Sequence, residues 1–267
     1  MSMNFQIVRY NFINQKVKKP LRIVMIADLH NQVYGLENID LLSAIDAQQP
    51  DMILLPGDMI VCRKSEQKNN RITADTIRKM TEIAPVYYSY GNHERGLLEC
   101  VRETEGIWEQ YNKYLEGMHD LHMLVNTHEV LEPWNVCIYG LDLPREYYKR
   151  IIKKPLREAA LVSLIGRMQP ERCNLLLAHN PDYFRAYCAL HPDLIVSGHN
   201  HGGMVRIPGF GGVVSPRLHP FPKYDYGVYD SGDLCTKMVV TSGCGMHSIH
   251  IRINNPPEMV VINVNKM

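Results

Sequence analysis

Short apolar runs, each closed by a polar motif, set the rhythm of this chain. Leu21-Arg22-Ile23-Val24-Met25-Ile26-Ala27 is rich in β-branched residues, predicts a buried strand, and ends in Asp28-Leu29-His30. Met52-Ile53-Leu54-Leu55 ends in Pro56-Gly57-Asp58, and Val86-Tyr87-Tyr88-Ser89-Tyr90 ends in Gly91-Asn92-His93-Glu94. Cys173-Asn174-Leu175-Leu176-Leu177-Ala178 runs into His179-Asn180-Pro181. Asp193-Leu194-Ile195-Val196 runs into Ser197-Gly198-His199-Asn200-His201-Gly202-Gly203.

Helical spacing fills the intervals. Leu36, Ile39, Leu42 and Ile45 fall on one predicted helix face, closed by Gln49-Pro50. A polar loop from Arg63 to Arg71 precedes a helix carrying Ile72, Ile77, Met80 and Ile83. The stretch from Leu97 to Leu115, the amphipathic Lys154 to Arg167 and a short piece from Asp182 to Leu190 also read as helices. Phe5 to Tyr10 predicts an edge strand. Met123 to Val125, Glu129 to Leu131 and Val136 to Gly140 predict short antiparallel strands. Gly202 to Pro216 reads as a glycine-rich loop. Strands are expected at 226–229, 237–241, 249–253 and 259–264. With no repeat or linker, a single α/β domain over residues 1–267 is expected.

Bulk composition narrows the classes. The chain has 267 residues, 45% of them hydrophobic, and a formal net charge of +1, which gives no electrostatic basis for nucleic acid or an anionic membrane as a default partner. Seven scattered cysteines without a Cys-x-x-Cys pair argue against a disulfide framework or a cysteine zinc site. The N-terminus has no apolar leader core and no run is long enough for a membrane span, so a soluble, cytoplasmic protein is expected.

In an α/β sheet the carboxyl ends of central strands share an edge, where ligands bind. The five motifs therefore converge two aspartates, an asparagine and five histidines. This nitrogen and oxygen set suits Mn, Fe or Zn rather than a calcium cage. Eight groups exceed what one ion takes, but they fit two ions sharing a carboxylate, with one residue left for chemistry. Two metals about 3.5–4 Å apart clamp the oxygens of a phosphoryl displacement. The residues alone thus point to a binuclear metallohydrolase.

The ordered series Asp-x-His, Gly-Asp, Gly-Asn-His-Glu, His and Gly-His-x-His resembles the signature of the calcineurin-like metallophosphoesterases. The Gly-Gly-x-x-Arg-x-Pro loop and the terminal Asn-Pro-Pro-Glu resemble its bacterial YkuE-like branch. The resemblance implies an αββα fold, two mixed β-sheets packed as a sandwich flanked by helices. It also implies that Asp28, His30 and His201 hold a first metal, that Asn92, His179 and His199 hold a second, and that Asp58 bridges them. His93 would stabilise the transition state or protonate the leaving group while a bridging hydroxide attacks phosphorus in line. The expected partner is a small phosphorylated substrate. A nucleotide or nucleic-acid hydrolase of the same family and a non-catalytic metal-binding scaffold are the alternatives. Pro56, Val61, Cys62 and Glu94 depart from the commoner family residues without removing a ligand.

Outside the motifs, His119, His122, His128 and His191 read as surface or core histidines, and Cys244 as a small buried filler. His247 follows a small-residue loop that could return to the site. Phe210 is either a substrate-facing lid or an anchor for its loop. Arg145, Tyr147, Tyr148, Lys149 and Arg150 form a basic, aromatic cluster that could contact an acidic substrate but reads first as a solvated loop. Specificity is expected in the loops around 31–36, 61–70, 95–120, 142–155 and 203–224.

Overall fold

Alternation within the apolar runs decides the layering. The computed structural model describes residues 5–63, 65, 67–99, 106–149, 154–216, 218, 220–232, 235–246 and 251–267. One six-stranded sheet has the order β1 (Gln6–Ile13), β14 (Glu258–Asn265), β2 (Leu21–Met25), β3 (Met52–Leu55), β4 (Val86–Tyr88), β5 (Leu121–Met123). The other has the order β12 (Gly227–Asp230), β13 (Lys237–Val240), β9 (Leu194–Ser197), β8 (Cys173–Ala178), β7 (Val136–Leu141), β6 (Thr127–Leu131). β2, β3 and β4 are parallel, as are β7, β8 and β9, so each group ends at one edge of its sheet.

Three apolar layers follow from the period of two. Ile23, Met25 and Leu54 of the first sheet meet Leu175, Leu177 and Val196 of the second in the middle of the sandwich. Val24, Ile53 and Leu55 point the other way. They pack under Leu41 and Ile45 of α1 (Ile39–Asp46), Ile77 and Met80 of α2 (Gln67–Thr81), and Tyr111 of α4 (Ile107–Leu115). Leu176 and Ile195 face Leu161 and Ile165 of α5 (Glu158–Ile165) and Phe184 and Tyr187 of α6 (Phe184–Tyr187). Both faces of the central strands are buried, which is why their sequences read as continuous apolar runs. This is the expected αββα arrangement of two mixed sheets.

Several expectations are corrected by tertiary packing. The helix face at 36–45 is rotated: Leu41, Leu42 and Ile45 are buried, whereas Leu36 and Ile39 are 84% and 58% exposed. α2 begins at Gln67, inside the segment read as a polar loop. The 97–115 helix is two, α3 (Asn92–Glu99) and α4, and residues 100–105 lie outside the described residues. β5 pairs parallel with β4 in the first sheet, whereas β6 and β7 form the antiparallel hairpin of the second. The amphipathic segment becomes helical only at Glu158. The glycine-rich loop folds as a hairpin of β10 (Val205–Ile207) and β11 (Gly211–Val214). At 249–253 the described part carries only a single bridge, Ile253 to Val205.

Candidate active site

Five strand ends deliver the motifs to one place. β2, β3 and β4 lead into Asp28 and His30, Asp58, and Asn92 and His93; β8 and β9 lead into His179, and His199 and His201. Three groups of potential ligand atoms lie within 4.8 Å of one another: Asp28, His30 and His201; His30, Asp58 and His93; and Asp58, His179 and His199. His179 Nε2 stands 3.1 Å from Asp58 Oδ2 and 3.8 Å from Asp28 Oδ1. His201 Nε2 stands 3.4 Å from Asp28 Oδ1 and 3.2 Å from His30 Nε2. Asp58 belongs to two of the three groups and so stands between them.

The backbone is bent to achieve this. Asp28, His30, Asp58, His199 and His201 all have positive φ, between 48° and 72°, a region L-residues seldom enter. Such strain persists only where the surroundings enforce it. Two glycines leave room for the carboxylates: a Cβ on Gly198 would lie 2.3 Å from Asp28 Oδ2, and one on Gly91 would lie 2.3 Å from Asp58 Oδ1. Backbone amides orient both aspartates. His199 N–H donates to Asp28 Oδ1 and Oδ2 at 3.1 and 3.0 Å, and His93 N–H donates to Asp58 Oδ1 at 2.7 Å.

Buried groups that pattern reading missed hold these loops. The Glu94 carboxylate accepts from the amides of Asp58, Met59 and Gly91 and from the Tyr88 hydroxyl, all at 2.7–2.9 Å. It thereby ties the Gly-Asp motif to the Gly-Asn-His-Glu motif. Asn255 Nδ2 donates to the carbonyls of His201, at 2.6 Å, and Gly203. The Arg252 guanidinium gathers the carbonyls of Ser242 and Gly245 at 2.8 and 2.5 Å. Its Nη2 also lies 3.2 Å from the Gly243 carbonyl and 3.3 Å from His201 Nδ1. Gly245 N–H in turn donates to the Asp28 carbonyl, which brings the 242–245 loop back against the site. The Asn-Pro-Pro-Glu motif was the sequence signal for Asn255; nothing marked Arg252.

Hydrogen bonding separates the histidines by role. His179 Nδ1 faces the Pro56 carbonyl at 2.9 Å, so in the neutral ring it carries the proton and Nε2 is the lone pair. That Nε2 is buried without a hydrogen-bond partner, as is Asn92 Oδ1. Orphaned buried acceptors are costly, and a cation satisfies them. His93 is the reverse case. Its Nδ1 accepts the Cys62 amide at 2.9 Å, so the neutral ring keeps its proton on Nε2 and offers a donor, not a ligand lone pair. Although His93 lies within reach of His30 and Asp58, this tautomer sets it apart from His179.

The electrostatics call for positive charge. Burial works to raise Asp58, but His179, His93 and His30 outweigh it and hold its carboxyl well below the usual range. Burial works to lower His179, but Asp58 and Asp28 outweigh it and raise it to about 9, so without a cation the ring takes a second proton on Nε2 toward Asp58, the position a metal ion would fill. Glu94, by contrast, is raised by burial and by Asp58. A mixed carboxylate, imidazole and amide set with two orphaned lone pairs fits divalent metal ions.

The predicted residues outside the motifs disperse. His122 Nδ1 pairs with Glu129 at 2.8 Å, His119 lies beside Asp120, and His128 stacks on Tyr139. Cys244 is buried with its thiol pushed up by burial, as a filler would be. Phe210 sits 84% exposed at the hairpin turn before Gly211, so it does not anchor the loop. His247 lies outside the described residues, as does Arg150. The basic cluster is the main correction. Tyr147 and Tyr148 are buried, and Arg145, Tyr148 and Lys149 line a cavity of about 690 Å³ together with Asn92 and His93. The Tyr148 ring lies 5.4 Å from that of His199 and 6.2 Å from that of His179.

Known proteins resemble this chain. The profile of the calcineurin-like phosphoesterases matches residues 21–203. An uncharacterized metallophosphoesterase of Campylobacter jejuni is 26% identical over 93% of this chain and 60% of its own length, so the chain spans less than two thirds of that relative. The uncharacterized metallophosphoesterase YkuE of Bacillus subtilis is 25% identical over 91% of this chain and 78% of its own. The phosphodiesterase YaeI of Escherichia coli is 26% identical over 97% and 88%. Among the described residues no helix is long and apolar enough to cross a membrane.

Proposed function

We propose, for a chain that belongs to the calcineurin-like phosphoesterase family, that it hydrolyses a phosphodiester or phosphomonoester with two divalent ions held at the five strand ends. The observation that carries this is the pair of orphaned buried lone pairs, His179 Nε2 and Asn92 Oδ1, set among carboxylates and imidazoles. Asp28, His30 and His201 would hold one ion and Asn92, His179 and His199 the other, with Asp58 shared. Divalent ions held by these residues would supply Lewis-acid polarisation of phosphoryl oxygens and a water activated at neutral pH.

The chain's own groups do the rest. Pro56 fixes the His179 tautomer, and the His199 amide fixes the Asp28 carboxylate. Glu94 and the His93 amide hold Asp58 in place, so little reorganisation is needed when charge develops. His93, with its proton on Nε2 and its Nδ1 accepting the Cys62 amide, donates a hydrogen bond to the phosphoryl and leaving oxygens as negative charge develops on them. A sister reading, a nucleotide hydrolase, uses the same groups.

Hydrolysis of bis-p-nitrophenyl phosphate and p-nitrophenyl phosphate with added Mn²⁺ tests the proposal. Turnover of either, abolished by chelation, is expected. No turnover of both by folded, metal-loaded protein would refute it.

A further inference from the structure

The cavity beside His93 adjoins the ligand cluster through Asn92 and His93, and its far wall has a distinct character. It opens over about 690 Å³, in the range of sites that take small metabolites. Arg145 and Lys149 stand on its lip, exposed, at either end of the 3-10 turn Arg145–Tyr148. The turn is a built feature. The Tyr147 carbonyl accepts from Asn180 Nδ2 at 3.1 Å and from the Tyr183 hydroxyl at 3.2 Å, and Tyr147 and Tyr148 are buried beneath. Among the described lining residues the two cations outnumber the one acid, Glu146, which pairs with Lys154 Nζ at 2.6 Å.

We infer that this cavity is the leaving-group subsite and that it selects leaving groups carrying their own anionic group, a carboxylate or a phosphate, held by Arg145 and Lys149. The inference rests on the phosphoesterase reading in one respect. A group that donates a hydrogen bond to the leaving oxygen must touch it, and His93 lines this cavity while also reaching His30 and Asp58. The leaving group therefore departs past His93 into the space under the two cations. An anion on it meets charge-assisted donors there, whereas the scissile phosphate is taken by the other face of His93. Tyr148 offers a flat wall between the imidazoles of His179 and His199 and the cavity.

Three diesters test it: methyl 4-carbamoylphenyl phosphate, methyl 4-carboxyphenyl phosphate and methyl 4-phosphonophenyl phosphate. They differ in the charge of the leaving phenol. With Mn²⁺-loaded protein, kcat/KM is expected to favour the charged leaving groups over the carbamoyl one by about tenfold or more. Which of the two leads assigns carboxylate or phosphate. The preference should collapse to near one in R145A/K149A and return in R145K/K149R. A wild-type ratio near one, or a ratio unchanged in R145A/K149A, overturns the inference. Failure of all three esters in folded, metal-loaded protein refutes the phosphoesterase reading instead. The subsite is then decided by NMR titration of the metal-free protein with phenyl phosphate. The subsite stands if R145A/K149A weakens binding about tenfold, and falls if the two proteins bind equally.

Discussion

At the scale of single residues, the centre depends on which nitrogen of each histidine holds the proton. His179 and His93 sit on neighbouring loops, yet a carbonyl faces Nδ1 of one and an amide faces Nδ1 of the other. In the neutral rings one Nε2 is thereby left as a lone pair and the other as a donor, the difference on which the proposed ligand and donor roles rest. His93→Ala is expected to lower kcat by about 10²–10⁴ while metal content stays at wild-type level. Elemental analysis beside steady-state kinetics checks it, and loss of metal would make His93 a ligand. Glu94 makes a second residue-level case. In Glu94→Gln one acceptor oxygen becomes an amide that faces backbone donors, so about 2–3 kcal/mol of stability should be lost in denaturant unfolding. Every one of these residue types was visible in the motifs. The opposed tautomers were not, because Pro56 and Cys62 act through backbone groups that carry no sequence signature.

At the scale of elements, strand ends and tight turns do the positioning. The motifs were legible because each follows its own strand within a few residues, so the chemistry and the element that aims it are local. The helix at 36–45 and the hairpin at 205–214 were not legible. Their conformations are chosen by what packs beside them, and glycine-rich turns permit many answers. Arg252 and Asn255 lie still further out of reach, 51 and 54 residues from His201. Gly198→Ala tests the turn that carries the two last histidines. Its Cβ would lie 2.3 Å from Asp28 Oδ2, so metal affinity should fall about 10–100-fold. Gly166→Ala is the control. That glycine also has positive φ, but a Cβ there meets nothing within 4 Å, so only about 1 kcal/mol of stability should be lost, with metal affinity intact. Equal metal loss in both variants would mean that crowding at Asp28 is not the cause.

At the scale of the molecule, two sheets bring their carboxyl edges to one centre, and the helices cover the outer faces. The sandwich was legible in the apolar runs through their alternation, but the membership of β5 was not, because a three-residue strand fits either sheet. Near the centre, Asp142 is buried with Arg95 Nη1 at 2.9 Å and one oxygen unpartnered. Burial raises it to about 6, opposed by Arg95 and assisted by Glu94 and Glu99. A raised carboxyl binds its proton more tightly when folded, so its contribution to stability is full at low pH and is lost as pH rises from about 4 to about 6. Against Asp142→Asn, which cannot ionise, the wild type should lose up to about 3 kcal/mol across that window and no more above about pH 7. Melting curves of both proteins across pH check this, and a pH-independent difference would contradict it.

The most direct test of the centre itself is a metal titration. Chelated protein is given Mn²⁺ in steps while bound ions per chain and turnover of bis-p-nitrophenyl phosphate are followed together. Two bound ions at full activity, and none without metal, is the predicted result. Full activity in the chelated protein, or no activity in folded protein holding two ions, would contradict it.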